Sequence, residues 1–107
     1  MVITRWRPVD STPRRRVLVA YDIAHTRRRR RVAKALEGVG ARVQKSVFLC
    51  ELRTRDRSAL RLHLRRWIDT RTDSLLMVDL GPAALDIEDR ILSFGRVLPK
   101  PQRVLVI

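Results

Sequence analysis

The sequence predicts an α+β fold in which two helices pack on one face of a small sheet. Two observations carry this. Apolar runs of strand character occur at Val17–Tyr21, Arg42–Leu52 and Ser74–Leu80, and between them lie two stretches whose apolar residues recur at helical spacing. The 107 residues, 45% of them hydrophobic, suit one domain with a modest core.

Residues 1–15 read as a basic N-terminal arm with Pro8 and Pro13, in which Trp6 is the residue able to dock on the body; residues 16–107 form the domain. Val17–Tyr21 is continuously apolar, as a buried strand is, and ends in Asp22. Thr26 can cap a helix running to about Val39, with Val32, Leu36 and Val39 on one face and Gly40 as its stop. Arg42–Leu52 is strand-like throughout. Val43, Val47 and Leu49 point one way, and Gln44, Ser46, Phe48 and Cys50 the other. Thr54 or Asp56 starts a second helix with Leu60, Leu64, Trp67 and Ile68 as its apolar face. Ser74–Leu80 is a strand closed by Gly81-Pro82. Residues 83–102 have room for a helical turn around Leu85 to Leu92, and Arg103–Ile107 is a last short strand beyond Pro99 and Pro101. A ferredoxin-like arrangement fits this order if Arg42–Leu52 holds two strands, although no Gly, Pro or Asn marks a turn there.

The charge narrows the function. Twenty-four Lys and Arg against eleven Asp and Glu leave +13, nearly all of it arginine. Such an excess calls for a polyanionic partner, nucleic acid first, because arginine grips phosphate with two parallel donors. The competing account is an arginine-rich genome composition. Cys50 is the only cysteine, which excludes an internal disulfide and a cysteine zinc cluster; it reads as core. No apolar stretch approaches the roughly 20 residues of a membrane span. Residues 1–16 do not read as a secretory signal, so the expected location is the cytoplasm.

Asp22 is the first candidate for chemistry. An aspartate at a strand end can serve only the turn that follows, or it can hold a hard metal ion. Magnesium is held by one or two carboxylates with waters and phosphate oxygens, and a twofold dimer would bring a second Asp22 to the axis. His25 is near enough in sequence to shuttle protons, or is a surface residue; His63 is a weaker candidate, and Ser46 has no histidine base beside it. Arg27, Arg28, Arg29, Arg30 and Arg31 open the first helix, where cations oppose the helix dipole and a bound phosphate would relieve them. A run of five wraps more than one turn, so its members cannot all face one ligand. Arg42, Lys45, Arg65 and Arg66 extend the basic surface. The paired strand aromatics of an RNA-recognition motif are missing.

Tyr21-Asp22 after the apolar strand, the arginine-rich helix start, Gly40, and Arg42-Val43-Gln44-Lys45-Ser46-Val47-Phe48 stand in the order and spacing of one family. Over residues 16–81, with residues 103–107 also fitting, the chain resembles the second CRISPR-associated protein, the Cas-two endonuclease family of the spacer-acquisition machinery. The resemblance implies a ferredoxin-like βαββαβ sandwich with an added C-terminal strand, a homodimer, and Mg2+ held near the dimer axis by Asp22 as catalytic and metal residue. It divides Arg42–Leu52 into two strands and lines the site with Tyr21, Ser46 and Phe48. It further implies metal-dependent cleavage of RNA or double-stranded DNA, or a non-catalytic adaptor role, beside the CRISPR integrase, the first CRISPR-associated protein. On this resemblance residues 103–107 add to the partner subunit's sheet. Two departures stand out: Leu49 follows Phe48 where many relatives carry an acid, and the basic arm is long.

Overall fold

A computed structural model describes residues 13–87 and 90–95. The chain runs through β1 (Arg15–Asp22), α1 (Thr26–Glu37), β2 (Gly40–Gln44), β3 (Val47–Leu52), α2 (Thr54–Arg65) and β4 (Ser74–Pro82). The strands form one sheet in the order β2-β3-β1-β4, every neighbouring pair antiparallel. This is the ferredoxin-like βαββαβ arrangement. Most of the N-terminal arm and all of the chain after residue 95, including the final strand expected at residues 103–107, lie outside the described residues.

Alternation along β1 explains both why the run reads as buried and where the helices sit. Val17, Val19 and Tyr21 point to the helix side and are at most 6% exposed. They meet Phe48, Cys50 and Leu52 of β3, Val32, Ala33 and Leu36 of α1 and Leu64 of α2 in one core. Leu60, Trp67 and Ile68 pack against that core as their spacing predicts, although α2 itself ends at Arg65.

Leu18 and Ala20 point to the opposite face, which neither α1 nor α2 covers. Two apolar rows cross it from strand to strand: Ala41, Leu49, Leu18 and Val78, then Val47, Ala20 and Leu76. Ala41 and Leu49 are buried, whereas Leu76 is 63% and Val78 44% exposed. Leu49 is thus a member of an apolar row.

Several boundaries differ from the sequence reading. Arg42–Leu52 is two strands joined at Lys45 and Ser46, a turn without Gly, Pro or Asn. His25 rather than Thr26 caps α1: its Nδ1 accepts the Arg28 amide at 3.3 Å. Gly38, not Gly40, ends that helix. Arg53 precedes α2 and provides no side-chain cap. Pro82 is still in β4, opposite Arg15, where a bulge between Arg16 and Val17 and the positive φ of Gly81 (103°) bend the edge. After β4, the Leu85 amide donates to the Pro82 carbonyl and the Arg90 amide to the Ile87 carbonyl, the second a single i to i+3 turn within the stretch where a helical turn was expected.

Gly40 opens β2 for a different reason. A Cβ there would press on the Leu49 carbonyl and come within 2.8 Å of both Cα and Sγ of Cys50. Backbone cannot yield as a flexible side chain can, so Gly40→Ala is expected to destabilise the protein by about 1–3 kcal/mol, the usual cost of overpacking. Thermal denaturation checks this, and an unchanged melting temperature would contradict the tight contact.

Candidate nucleic-acid interface at one end of the sheet

Four segments converge at the end of the sheet where β1 finishes. Asp22 ends β1 and pairs with Ser74, the first residue of β4. The short loop Ile23 to His25 leads into α1. The β2–β3 turn reaches the same end, since the Tyr21 amide donates to the Ser46 carbonyl at 3.0 Å. Asp22, the start of α1, Lys45 and Ser46 are therefore neighbours in the fold.

Asp22 lies on the open face, as alternation from Leu18 and Ala20 requires, and is exposed. Its carboxylate takes no hydrogen bond and forms no ion pair among the described residues, so it does not serve the turn as strand-end aspartates often do. Among the described residues no group of three or more His, Cys, Asp or Glu could hold a metal ion. Magnesium at Asp22 would therefore need waters and phosphate oxygens to complete its shell, with one carboxylate or two.

The five arginines of the run divide by helical geometry. Arg27, Arg30 and Arg31, continued by Lys34, stand at i, i+3, i+4 and i+7 on the outer face of α1. With His25 and Thr26 they line a shallow groove. None of these four cations is paired with a described residue. Arg28 and Arg29 turn inward instead. Arg28 holds Asp73 by two bonds, Nε to Oδ2 at 2.7 Å and Nη2 to Oδ1 at 3.1 Å. Arg29 Nη1 donates to the carbonyls of Ile23 and Ala24 at 3.1 and 2.9 Å. Lys34 was not among the site candidates read from the sequence, yet its helical spacing from Arg27 carried the signal.

Arg42 lies opposite Phe48 across the β2–β3 pair and places its guanidinium 5.1 Å from the ring centroid. It also donates to the Lys45 carbonyl at 3.4 Å, which steadies the turn. Phe48 is fully buried and Tyr21 nearly so, their rings stacked at 6.3 Å. Both point to the helix side while Asp22 points away, so they belong to the core rather than to a wall beside the carboxylate. Burial raises the Tyr21 hydroxyl pKa, with nearby Arg42 and Arg29 pulling it back. Cys50 is buried and its thiol is pushed up to about 12, which leaves it inert at neutral pH. His63 packs against Trp67 on α2, at 4.4 Å between ring centroids. Arg65 and Arg66 are exposed at the end of that helix.

Two carboxylates fall far below their usual range. Asp73 is lowered to about 2, chiefly by the Arg28 hydrogen bond and then by the Asp69 amide. Asp79 is lowered to about 2 by Arg15, then by the Gly81 amide, with Arg57 adding to it. A depressed carboxylate pKa contributes stability that is complete above the unfolded value of 3.8 and is lost as pH falls towards about 2. Unfolding followed between pH 5 and pH 2 should therefore show stability falling through this window. Asp73→Asn should flatten the dependence; a curve identical to wild type would place the acid sensitivity elsewhere.

Fold and site together define a small, strongly basic ferredoxin-like domain with a free carboxylate and a free cationic helix face at one end of its sheet. Residues 15–86 match the family model described as CRISPR associated protein Cas2. The CRISPR-associated endoribonuclease Cas2 1 of Rhodospirillum rubrum is 42% identical over 90 residues, covering 84% of this chain and 87% of that protein. The CRISPR-associated endonuclease Cas2 of Halalkalibacterium halodurans is 41% identical over 70 residues, covering 61% and 73%. Among solved structures, Streptococcus pyogenes Cas2 superposes with a TM-score of 0.68 at 33% identity, covering 75% of this chain and 99% of that one. The chain belongs to the Cas2 family of CRISPR-associated proteins. No helix among the described residues is long and apolar enough to cross a membrane.

Proposed function

We propose that the protein is a magnesium-dependent endonuclease of the CRISPR system, acting on RNA or duplex DNA as a homodimer in the cytoplasm, beside the CRISPR integrase. The observation that carries the reading is the Asp22 carboxylate, exposed and without a partner among the described residues on the open, partly apolar face of the sheet. A second copy packed on that face covers Leu76 and Val78 and brings its own Asp22 to the same region. Magnesium, when bound, supplies the Lewis acidity that activates a water and steadies charge on the phosphate. The protein's part is to hold the ion through Asp22 and to bind the strand through Arg27, Arg30, Arg31, Lys34 and Lys45. Arginine suits that task because its planar fork matches phosphate oxygens.

A second reading, a non-catalytic dimer that clamps duplex DNA for the integrase, is favoured by the lack, among the described residues, of any group of three or more His, Cys, Asp or Glu that could hold a metal ion. Cleavage by rigorously purified protein, with magnesium and with chelator, separates the two. Chelator-sensitive cleavage that co-purifies with the dimer supports the endonuclease; binding without cleavage under varied metal and pH supports the clamp.

Both readings place phosphate on the outer face of α1. Alanine at Arg27, Arg30 or Arg31 is expected to weaken binding to unrelated sequences alike, since phosphate contacts carry no base information. The slope of log affinity against log salt should fall by up to about 0.9 for each lost duplex contact. An unchanged slope would mean that the stripe is merely solvated.

A further inference from the structure

We propose that Arg28 and Asp73 form a positioning pair that fixes the β1–α1 loop against the start of β4, and thereby sets the place of Asp22. This rests on the reading of Asp22 as the working carboxylate. Asp73 is the one buried charged side chain among the described residues, its side chain 1% exposed. Its acceptors are taken from several directions. Besides the two Arg28 donors, Oδ2 receives the Asp69 amide at 2.8 Å and Oδ1 the Thr72 hydroxyl at 3.3 Å. Asp73 directly precedes Ser74, the cross-strand partner of Asp22.

On the other side of the carboxylate the loop is tied just as closely. Arg28 stands in the first turn of α1, which His25 caps, and Arg29 binds the carbonyls of Ile23 and Ala24. The stretch from Asp22 to Arg29 is thus held at both ends. A bidentate guanidinium–carboxylate pair fixes orientation as well as distance. Burying an ion pair is seldom the most effective way to add stability, because apolar residues of similar volume often do as well. What such a pair adds here is defined geometry next to a site that needs it. Arg28 is therefore an internal strut within a run whose outer members face solvent.

The test uses the full-length protein with Arg28→Lys, which keeps the charge but loses the fork, Asp73→Asn, and the double variant. Turnover at saturating nucleic acid should fall about 10- to 100-fold in each single variant, as when groups supporting a metal site are changed. The double variant should be no worse than either single one. KM and the salt slope of binding should stay at wild-type values. Hydrogen exchange should speed up at the amides of residues 23–28 and 73–74 while the β3 amides stay protected. If Arg28 instead binds phosphate, Arg28→Lys keeps turnover, and Asp73→Asn tightens binding and steepens the slope. That pattern would overturn the proposal, as would global unfolding of both single variants, which would make the pair a general stability element. A wild type that does not cleave would defeat the endonuclease reading alone. The pair is then decided by exchange: local opening supports it, and unchanged exchange overturns it.

Discussion

Asp22→Asn is expected to reduce metal-dependent cleavage by at least about 100-fold while leaving the melting temperature and the dimer unchanged. Changing groups that merely support a metal ligand costs about 10- to 100-fold, and loss of the ligand itself should cost no less. The fold should not notice. Asp22 is exposed, and its carboxylate has no partner among the described residues, so the amide strands no buried donor. Its backbone pairing with Ser74 does not depend on the side chain. Removing a negative charge from a chain of charge +13 also slightly favours nucleic-acid binding. Affinity should hold or rise as turnover collapses, and that divergence distinguishes a metal ligand from a residue that helps the protein fold. Full cleavage by the variant would return Asp22 to a structural role.

Leu76→Asp is expected to raise the dissociation constant of the proposed dimer by about 100-fold or more. Leu76 is 63% exposed in the single chain and lies in a cross-strand row with Ala20 and Val47. Burying a leucine is worth about 1.5–3 kcal/mol, and a twofold interface counts the change once from each copy. The introduced carboxylate would also have to be desolvated, which costs more than the lost contact. Sedimentation across a dilution series measures the effect, and Val78→Asp gives a second position on the same face. Dimers that persist in both variants would show that the copies meet elsewhere. Loss of the dimer should also lower cleavage, because Asp22 is the unpaired carboxylate at this end of the sheet, Asp73 being held by Arg28.

Most of the architecture was legible because it is encoded locally. The helices follow from apolar residues at period 3.6, such as Val32 with Leu36 and Leu60 with Leu64. Val17–Tyr21 reads as continuously apolar because both faces of β1 are apolar, the helix side with Val17 and Val19 and the open side with Leu18 and Ala20. The division of Arg42–Leu52 was not legible from turn chemistry. Lys45 and Ser46 are ordinary residues, and the turn is held by antiparallel pairing of β2 with β3 and by the bond from Tyr21 to Ser46.

Gly40 was visible as a residue that breaks helices, but its actual constraint is the approach of β3, which no local pattern records. The same holds at the site. Sequence alone determined the strand ending in Asp22, the basic helix that follows and the large excess of positive charge, because each depends on neighbouring residues or on composition. Which of those arginines stand free of internal partners only the tertiary structure decided. Arg28 is bound by a carboxylate 45 positions away, and Phe48 is turned into the core by strand alternation and covered by Arg42 from the neighbouring strand. An ion pair between distant residues forms only when packing brings them together, so nothing in the run Arg27 to Arg31 marks Arg28 as the one that turns inward to Asp73.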